Sequence, residues 1–237
     1  MKLMIQKTQK IASELFALCC IFVLLITLIS QLCFDRSFFL KEYQIAGTAA
    51  ILSMSEDDLM KATDTLLDYL NDKRDDILVT AEVNGVKREV FNQRETLHMV
   101  DVKNLYQNVL TVRNIMAITA LVLFAYLSIH FKNQLSLLAI CLKRGLVSMT
   151  LILGFGIGLL VVWILADFNS FWTSFHQLFF SNDLWQLNPA TSLMINMFPE
   201  NFFFDMVFRL SAAFILAYLL LFLGLNLFEK LLDKKNK

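Results

Sequence analysis

Two prolines, three histidines, four cysteines and seven glycines are all that 237 residues hold of the types that most often mark turns, metal sites and covalent staples. No Gly/Ser linker, internal repeat or low-complexity tract interrupts the chain, so nothing in it reads as a string of separate modules. The cysteines exclude a disulfide framework: Cys19 and Cys20 fall inside an apolar run, Cys141 lies at the inner side of another, and only Cys33 approaches an outward segment. No base stands beside Cys33 in the sequence to lower its pKa, so packing is its simpler role. Charge of one sign is missing too. The 21 Lys and Arg equal the 21 Asp and Glu, and no basic patch for nucleic acid appears. Two outward histidines with scattered carboxylates lack zinc-ligand spacing, and neither a metal nor a cofactor is expected. A transporter is disfavoured, because the apolar runs contain no Gly/Pro-broken helix and no charge pathway at mid-depth.

What is abundant is apolar. The chain is 57% hydrophobic with 22 phenylalanines, against roughly 45–50% for a soluble domain, and its mean hydropathy is +0.58. Four stretches, 11–32, 114–131, 145–168 and 206–228, are long enough to cross a hydrocarbon core that needs about 20 apolar residues. The first follows Lys2, Lys7 and Lys10, but it is too long for a signal peptide and no small-residue cleavage site follows it. Basic residues then set the orientation. Those three lysines, then Lys132, Lys143 and Arg144, then Lys230, Lys234, Lys235 and Lys237 mark 1–10, 132–144 and 229–237 as cytoplasmic. Segments 33–113 and 169–205 face outward. Between Phe34 and Val112 stand 14 acidic and 9 basic residues, an asymmetry the neutral total conceals. The expected fold is an α-helical membrane protein: a four-transmembrane-helix bundle with a small α+β extracytoplasmic cap, multi-pass in the cell membrane with both termini cytoplasmic.

Within 33–113, Ser53 and Ser55 with Glu56 and Asp58 are capping-type starts for a helix that carries Leu59, Thr63, Leu66, Leu67 and Leu70 on one face. Asn84-Gly85 supplies the two positive-φ residues of a type I′ hairpin turn, setting Glu82 opposite Lys87 and Val79 opposite Val90. So short a hairpin needs support from the helix, the bilayer surface or the other outer loop. Arg94 to Leu110 reads as helical and runs on into the second span. Gly154 and Gly158 form a GxxxG pair, the signature of a close helix-packing face.

Few residues can carry chemistry. His130 falls at the cytoplasmic end of the second span and reads as interfacial. His98 has Glu95 one turn before it and Asp101 one turn after, spacings that let a carboxylate orient an imidazole and raise its basicity. His176 follows Phe175 at the edge of an aromatic stripe of Phe168, Phe171, Trp172, Phe175 and Phe179. That stripe suits the membrane interface plane. Asn182-Asp183 reads as a turn and Trp185 as a further anchor. Asp205 and Arg209, at i and i+4 near the outer end of the fourth span, suit an ion pair or a direct role with a lipid or substrate.

The run FHQLFFSNDLWQLNP followed by MFPENFF, with ETLHMVDV upstream, resembles the lipoprotein intramolecular transacylase family, four-span membrane proteins that include enzymes of Gram-positive bacteria. The resemblance covers nearly the whole chain. It implies transfer of an acyl chain from the sn-2 position of a diacylglyceryl-cysteine lipoprotein to that cysteine's α-amino group, giving a lyso-form lipoprotein. It implies His98 and His176 as the catalytic histidines; it leaves open which is base and which is acid, and the assignment preferred here is His176 as base with His98, oriented by Asp101, as its partner. Diacylated bacterial lipoproteins are then the substrate and membrane lipid the surroundings; Asp101, Asn182, Asp183, Trp185 and Arg209 are the expected substrate-binding residues, of which Asn182, Asp183 and Trp185 shape the polar pocket or hydrogen-bond the developing oxyanion. The rival reading is a non-enzymatic membrane sensor or partner-binding protein whose histidines are structural.

Overall fold

A computed structural model describes residues 6–235, except the side chains of 233 and 235. Lys2 and Lys237, used above for orientation, lie outside the described residues, as does the side chain of Lys235. Among the described residues, four helices are long and apolar enough to cross a membrane: α1 (Lys7–Leu32), α5 (Gln93–His130), α6 (Leu135–Ala166) and α9 (Glu200–Lys235). Shorter helices α2 (Arg36–Ala46), α3 (Thr48–Ile51), α4 (Glu56–Leu70), α7 (Phe168–Phe179) and α8 (Leu193–Met197), with strands β1 (Thr80–Val83) and β2 (Val86–Glu89), complete the elements of the described residues. Two compact units result, one of residues 6–28, 111–171 and 211–235, the other of 29–110 and 172–210.

The first unit is helix against helix. α1 meets α5 through Ala12 and Leu127 and through the Phe16 and Phe124 rings, 5.8 Å apart. α1 meets α6 through Ala17, Ile21 and Leu146, and α6 meets α9 through a Thr150–Tyr218 hydroxyl pair at 2.6 Å. Elsewhere large apolar side chains stand open: Leu121 is 70% exposed, Phe155 73% and Leu220 61%. Water would not tolerate such a surface over this length, whereas lipid does. Gly154 and Gly158 are part of that open surface. A Cβ at either would meet nothing within 4 Å, so they are not a packing face within this chain. The close approach falls at Gly145, where a Cβ would lie 2.6 Å from the carbonyl carbon of Ser13. Polar side chains support the same contacts: Ser148 Oγ donates to Glu14 at 2.8 Å, and Lys143 pairs with Glu229 at 2.9 Å.

The second unit is the α+β part. Ser55 caps α4, its hydroxyl accepting from Asp58 N at 3.0 Å, and Ser53 instead sits in the preceding turn at φ 51°. The buried face of α4 holds Leu59, Thr63 and Leu66 as expected, widened by Met60, Ala62 and Tyr69. Asn84 and Gly85 take φ 53° and 74°, and the hairpin pairs Glu82 with Lys87, with Val90 N donating to Val79 O at 3.0 Å. Its support is α4: Ala81 and Val83 point into the core, and Glu82 N donates to Asp58 Oδ2 at 3.2 Å. The core continues through Phe38, Phe39 and Tyr43 of α2 to Met194, Met197 and Phe202. Each such large apolar side chain contributes about 1.5–3 kcal/mol by leaving water.

An Asp205–Arg209 ion pair, one of the two roles their spacing suits, does not form. Arg209 Nη2 instead binds the Asp35 carboxylate, and Nη1 donates to Leu32 O at 3.4 Å. Its guanidinium lies 5.1 Å from the Phe38 ring. Asp35 is already fixed as the cap of α2 by Ser37, a better-placed partner than a residue on the same helix. The Ser37 hydrogen bonds and then Arg209 hold the Asp35 carboxyl down at about 2.

Candidate active site

The site starts at a helix cap. Asn92 and Glu95 form a reciprocal box at the start of α5: Glu95 N donates to Asn92 Oδ1 at 3.0 Å, and Asn92 N donates to Glu95 Oε2 at 2.6 Å. This fixes where the helix begins, and hence which face His98 occupies one turn later. Glu95 is fully buried, and its other oxygen reaches far along the chain. Oε1 accepts from Ser192 Oγ at 2.5 Å and from Met194 N at 2.9 Å, tying the segment after α7 to the start of α5. The spacing Asn-x-x-Glu marks the cap in the sequence alone; the partners near residue 192 could not be read there.

The second component is α7. His176 is 4% exposed, whereas Leu178 is 77% and Phe179 47%, so the histidine rather than the end of the aromatic stripe turns inward. Rings surround it: Trp172 at 4.5 Å, Trp185 stacked at 4.9 Å and 28°, Phe175 at 5.4 Å and Phe180 at 5.6 Å between centroids. Its Nδ1 lies 2.7 Å from Trp172 O. A carbonyl can only accept, so Nδ1 carries the proton and Nε2 is left with its lone pair.

His98 faces the same cluster. Its ring lies 6.0 Å from that of His176 and edge-on to Phe180 at 5.3 Å. Burial first, then the neighbouring His176, pull its pKa down to about 4, against the opposing charge of Asp101. Burial also lowers His176, with the Trp172 carbonyl opposing. At neutral pH both rings are neutral.

The remaining sequence-selected residues divide. Asp101 does not hydrogen-bond His98; its Oδ2 accepts from Asn182 Nδ2 at 2.8 Å and acts on the ring through charge alone. Asn182 also takes Leu184 N on Oδ1 at 3.0 Å. Trp185 spends its indole N–H on Asn182 O at 3.0 Å, which leaves its ring face to His176. Asp183 receives Arg94, whose Nη2 binds its carbonyl and lies 3.3 Å from its carboxylate. Arg94 stands one turn before His98, a spacing that by itself marks no site residue. Arg209 stands apart from His176, with a run of rings, Trp172, Phe203, Phe202 and Phe38, between them. His130 belongs to the other unit. Among the described residues no three His, Cys, Asp or Glu side chains converge as metal ligands.

Four membrane-length helices and a small α+β unit define a multi-pass α-helical membrane protein, and two facing, buried histidines are its candidate site. Residues 14–203 match the model of the lipoprotein intramolecular transacylase Lit family, and the chain belongs to that family. Its name is that of a transferase acting on lipoproteins. The fold is similar to the in meso structure of the membrane integral lipoprotein intramolecular transacylase Lit from Bacillus cereus, with TM-score 0.72 and 21% identity over 97% of this chain and 98% of that one. A histidine-to-alanine variant of the Bacillus cereus protein gives TM-score 0.71 and 18% identity over 97% and 96% of the two chains. No curated protein matches the sequence.

Proposed function

We infer that this protein is an acyltransferase that moves the sn-2 acyl chain of a diacylglyceryl-cysteine lipoprotein to the cysteine's α-amino nitrogen. The observation that carries this reading is the pair of buried, neutral imidazoles 6.0 Å apart. The substrate brings its own nucleophile, an amine of pKa near 8, so the protein needs no serine or cysteine nucleophile. What it supplies is proton transfer. His176 takes the amine proton at Nε2, the atom its Nδ1–H bond to Trp172 leaves basic. Nitrogen bonds to the ester carbonyl carbon, the carbon–glycerol oxygen bond breaks, and the glycerol oxygen ends with the proton. Because His98 is held neutral by its burial, it acts as acid only after receiving that proton; the site spends none from solvent. Amine and ester belong to one molecule, and holding them in register is worth effective molarities of roughly 10⁵ M or more.

In this reading residues 33–113 and 169–205 face outward and both termini are cytoplasmic, an orientation the distribution of Lys and Arg supports. Diacylated lipoproteins are the substrate, held by their acyl chains in membrane lipid. Asp101, Asn182, Asp183 and Trp185 shape the headgroup pocket, whereas Arg209 is spent on Asp35 and is left out of it. Mass spectrometry of lipoprotein N-termini from cells with and without the protein tests the reading. The N-acyl, S-monoacylglyceryl form should appear only with it, with total acyl content unchanged. Stoichiometric release of free fatty acid would mean a lipase instead.

A further inference from the structure

We propose that Arg94 is a catalytic residue of this transfer, its Nε–H donating to the oxyanion that forms on the sn-2 ester carbonyl; the proposal rests on the acyl-transfer reading above. When the amine attacks, the nitrogen lone pair becomes the new N–C bond and the carbonyl π pair moves onto oxygen. That oxygen then carries a full negative charge until the carbonyl reforms and the glycerol oxygen leaves with the proton taken from nitrogen. Preorganised donors aimed at such a charge are usually the largest single contribution to acyl-transfer rates.

The obvious donors near the histidines are already committed. Asn182 Nδ2 donates to Asp101, and Trp185 Nε1 donates to Asn182 O. Arg94 is different. Its far end is anchored, Nη2 binding Asp183 through both carbonyl and carboxylate, while its Nε is buried and takes no acceptor among the described residues. His98 Nδ1 is the same: buried and unpartnered. The two residues stand at i and i+4 on α5, on one face of the helix. Buried N–H groups are nearly always paired in folded proteins, and two unspent nitrogens on one helix face beside a reacting imidazole mark the place where a polar ligand atom belongs. A guanidinium keeps its proton at any working pH, so Arg94 stabilises charge and gives no proton; proton traffic stays with the histidines. Its positive charge also disfavours protonation of His98, in keeping with a site that starts neutral.

The test uses the full-length protein in lipid nanodiscs with a synthetic diacylglyceryl-cysteine lipopeptide, reading N-acyl product by mass spectrometry and folding by thermal midpoint. Arg94→Lys can still pair with Asp183 but cannot present the same fork. It should keep KM and midpoint while kcat falls about 10²–10³-fold. Arg94→Ala should fall at least as far and regain part of its turnover when ethylguanidinium is added. Near-normal kcat in Arg94→Lys, or an Arg94→Ala defect that tracks lost midpoint and ignores ethylguanidinium, would reduce Arg94 to a tether for Asp183. A wild-type protein without N-acyl product overturns the acyl-transfer reading and this proposal together; an active wild type beside a fully active Arg94→Lys overturns the proposal alone.

Discussion

The imidazoles of His98 and His176 come from positions 78 residues apart and meet with centroids 6.0 Å apart and planes tilted by 37°. Four further rings, Trp172, Phe175, Phe180 and Trp185, contact one or both of them, and Phe180 contacts both. Both rings are buried, and a proton-transfer role for the pair, as proposed above, can be separated from packing by substitution.

His98→Gln and His176→Gln should each lower acyl transfer by about 10²–10⁴-fold without removing the protein from the membrane. If the two work as one unit, the double variant should be little worse than either single one. His130→Gln, in the other unit, should stay near normal. Turnover of the lipopeptide at equal expression is the measurement, and unimpaired His176→Gln would leave that histidine a structural element of its aromatic cluster.

The lowered histidine pKa values set the pH dependence. Activity should rise with pH through an inflection below the ordinary histidine value of about 6.5, because His176 is already neutral there. Stability should move the same way. Between about 6.5 and 4 the unfolded chain binds a proton that folded His98 refuses, so stability is lost as pH falls through that window, on the order of 3 kcal/mol once both states are protonated. Denaturation midpoints from pH 7 down to 4 check this, and His98→Gln should flatten the slope.

Glu95→Ala should cost on the order of 3 kcal/mol, because it strands the Asn92 and Met194 amides and the Ser192 hydroxyl in a buried place. Glu89→Ala, on the exposed strand β2, should change the midpoint by no more than about 0.5 kcal/mol equivalent. Equal effects at the two positions would contradict the role of Glu95 as the tie between α5 and the segment around Ser192.

The glycines offer a contrast. Gly145→Ala should destabilise by about 1–3 kcal/mol, since its Cβ would overlap the Ser13 backbone, which cannot swing aside as a side chain can. Gly154→Ala has open space and should be neutral or gain up to about 1 kcal/mol from helix propensity. Thermal midpoints in one detergent decide between them.

Features set by near neighbours were legible in the sequence. Ser55 caps α4 and Asn84-Gly85 turn the hairpin because each acts within three or four residues, where spacing dictates geometry. The two histidines could be selected, but not their meeting, which depends on α7 turning His176 inward while Leu178 and Phe179 face out. Arg209 shows the limit most plainly. Its i−4 neighbour Asp205 was the local choice, yet Asp35, 174 positions away, is held in place by its own cap bond and takes the guanidinium. The GxxxG spacing failed for a related reason: small residues permit close approach, but only another helix at that depth makes it, and α1 crosses α6 at Gly145.

The central claim is that the acyl chain moves within one molecule. A crossover experiment tests it most directly: two lipopeptides, one carrying an isotope-labelled sn-2 acyl chain and the other a labelled peptide, are mixed with the purified protein and the products weighed. Intramolecular transfer predicts N-acylated products in which each peptide keeps its original acyl chain. Products that pair the labelled chain with the labelled peptide would show that the acyl group travels between molecules, and would contradict the account.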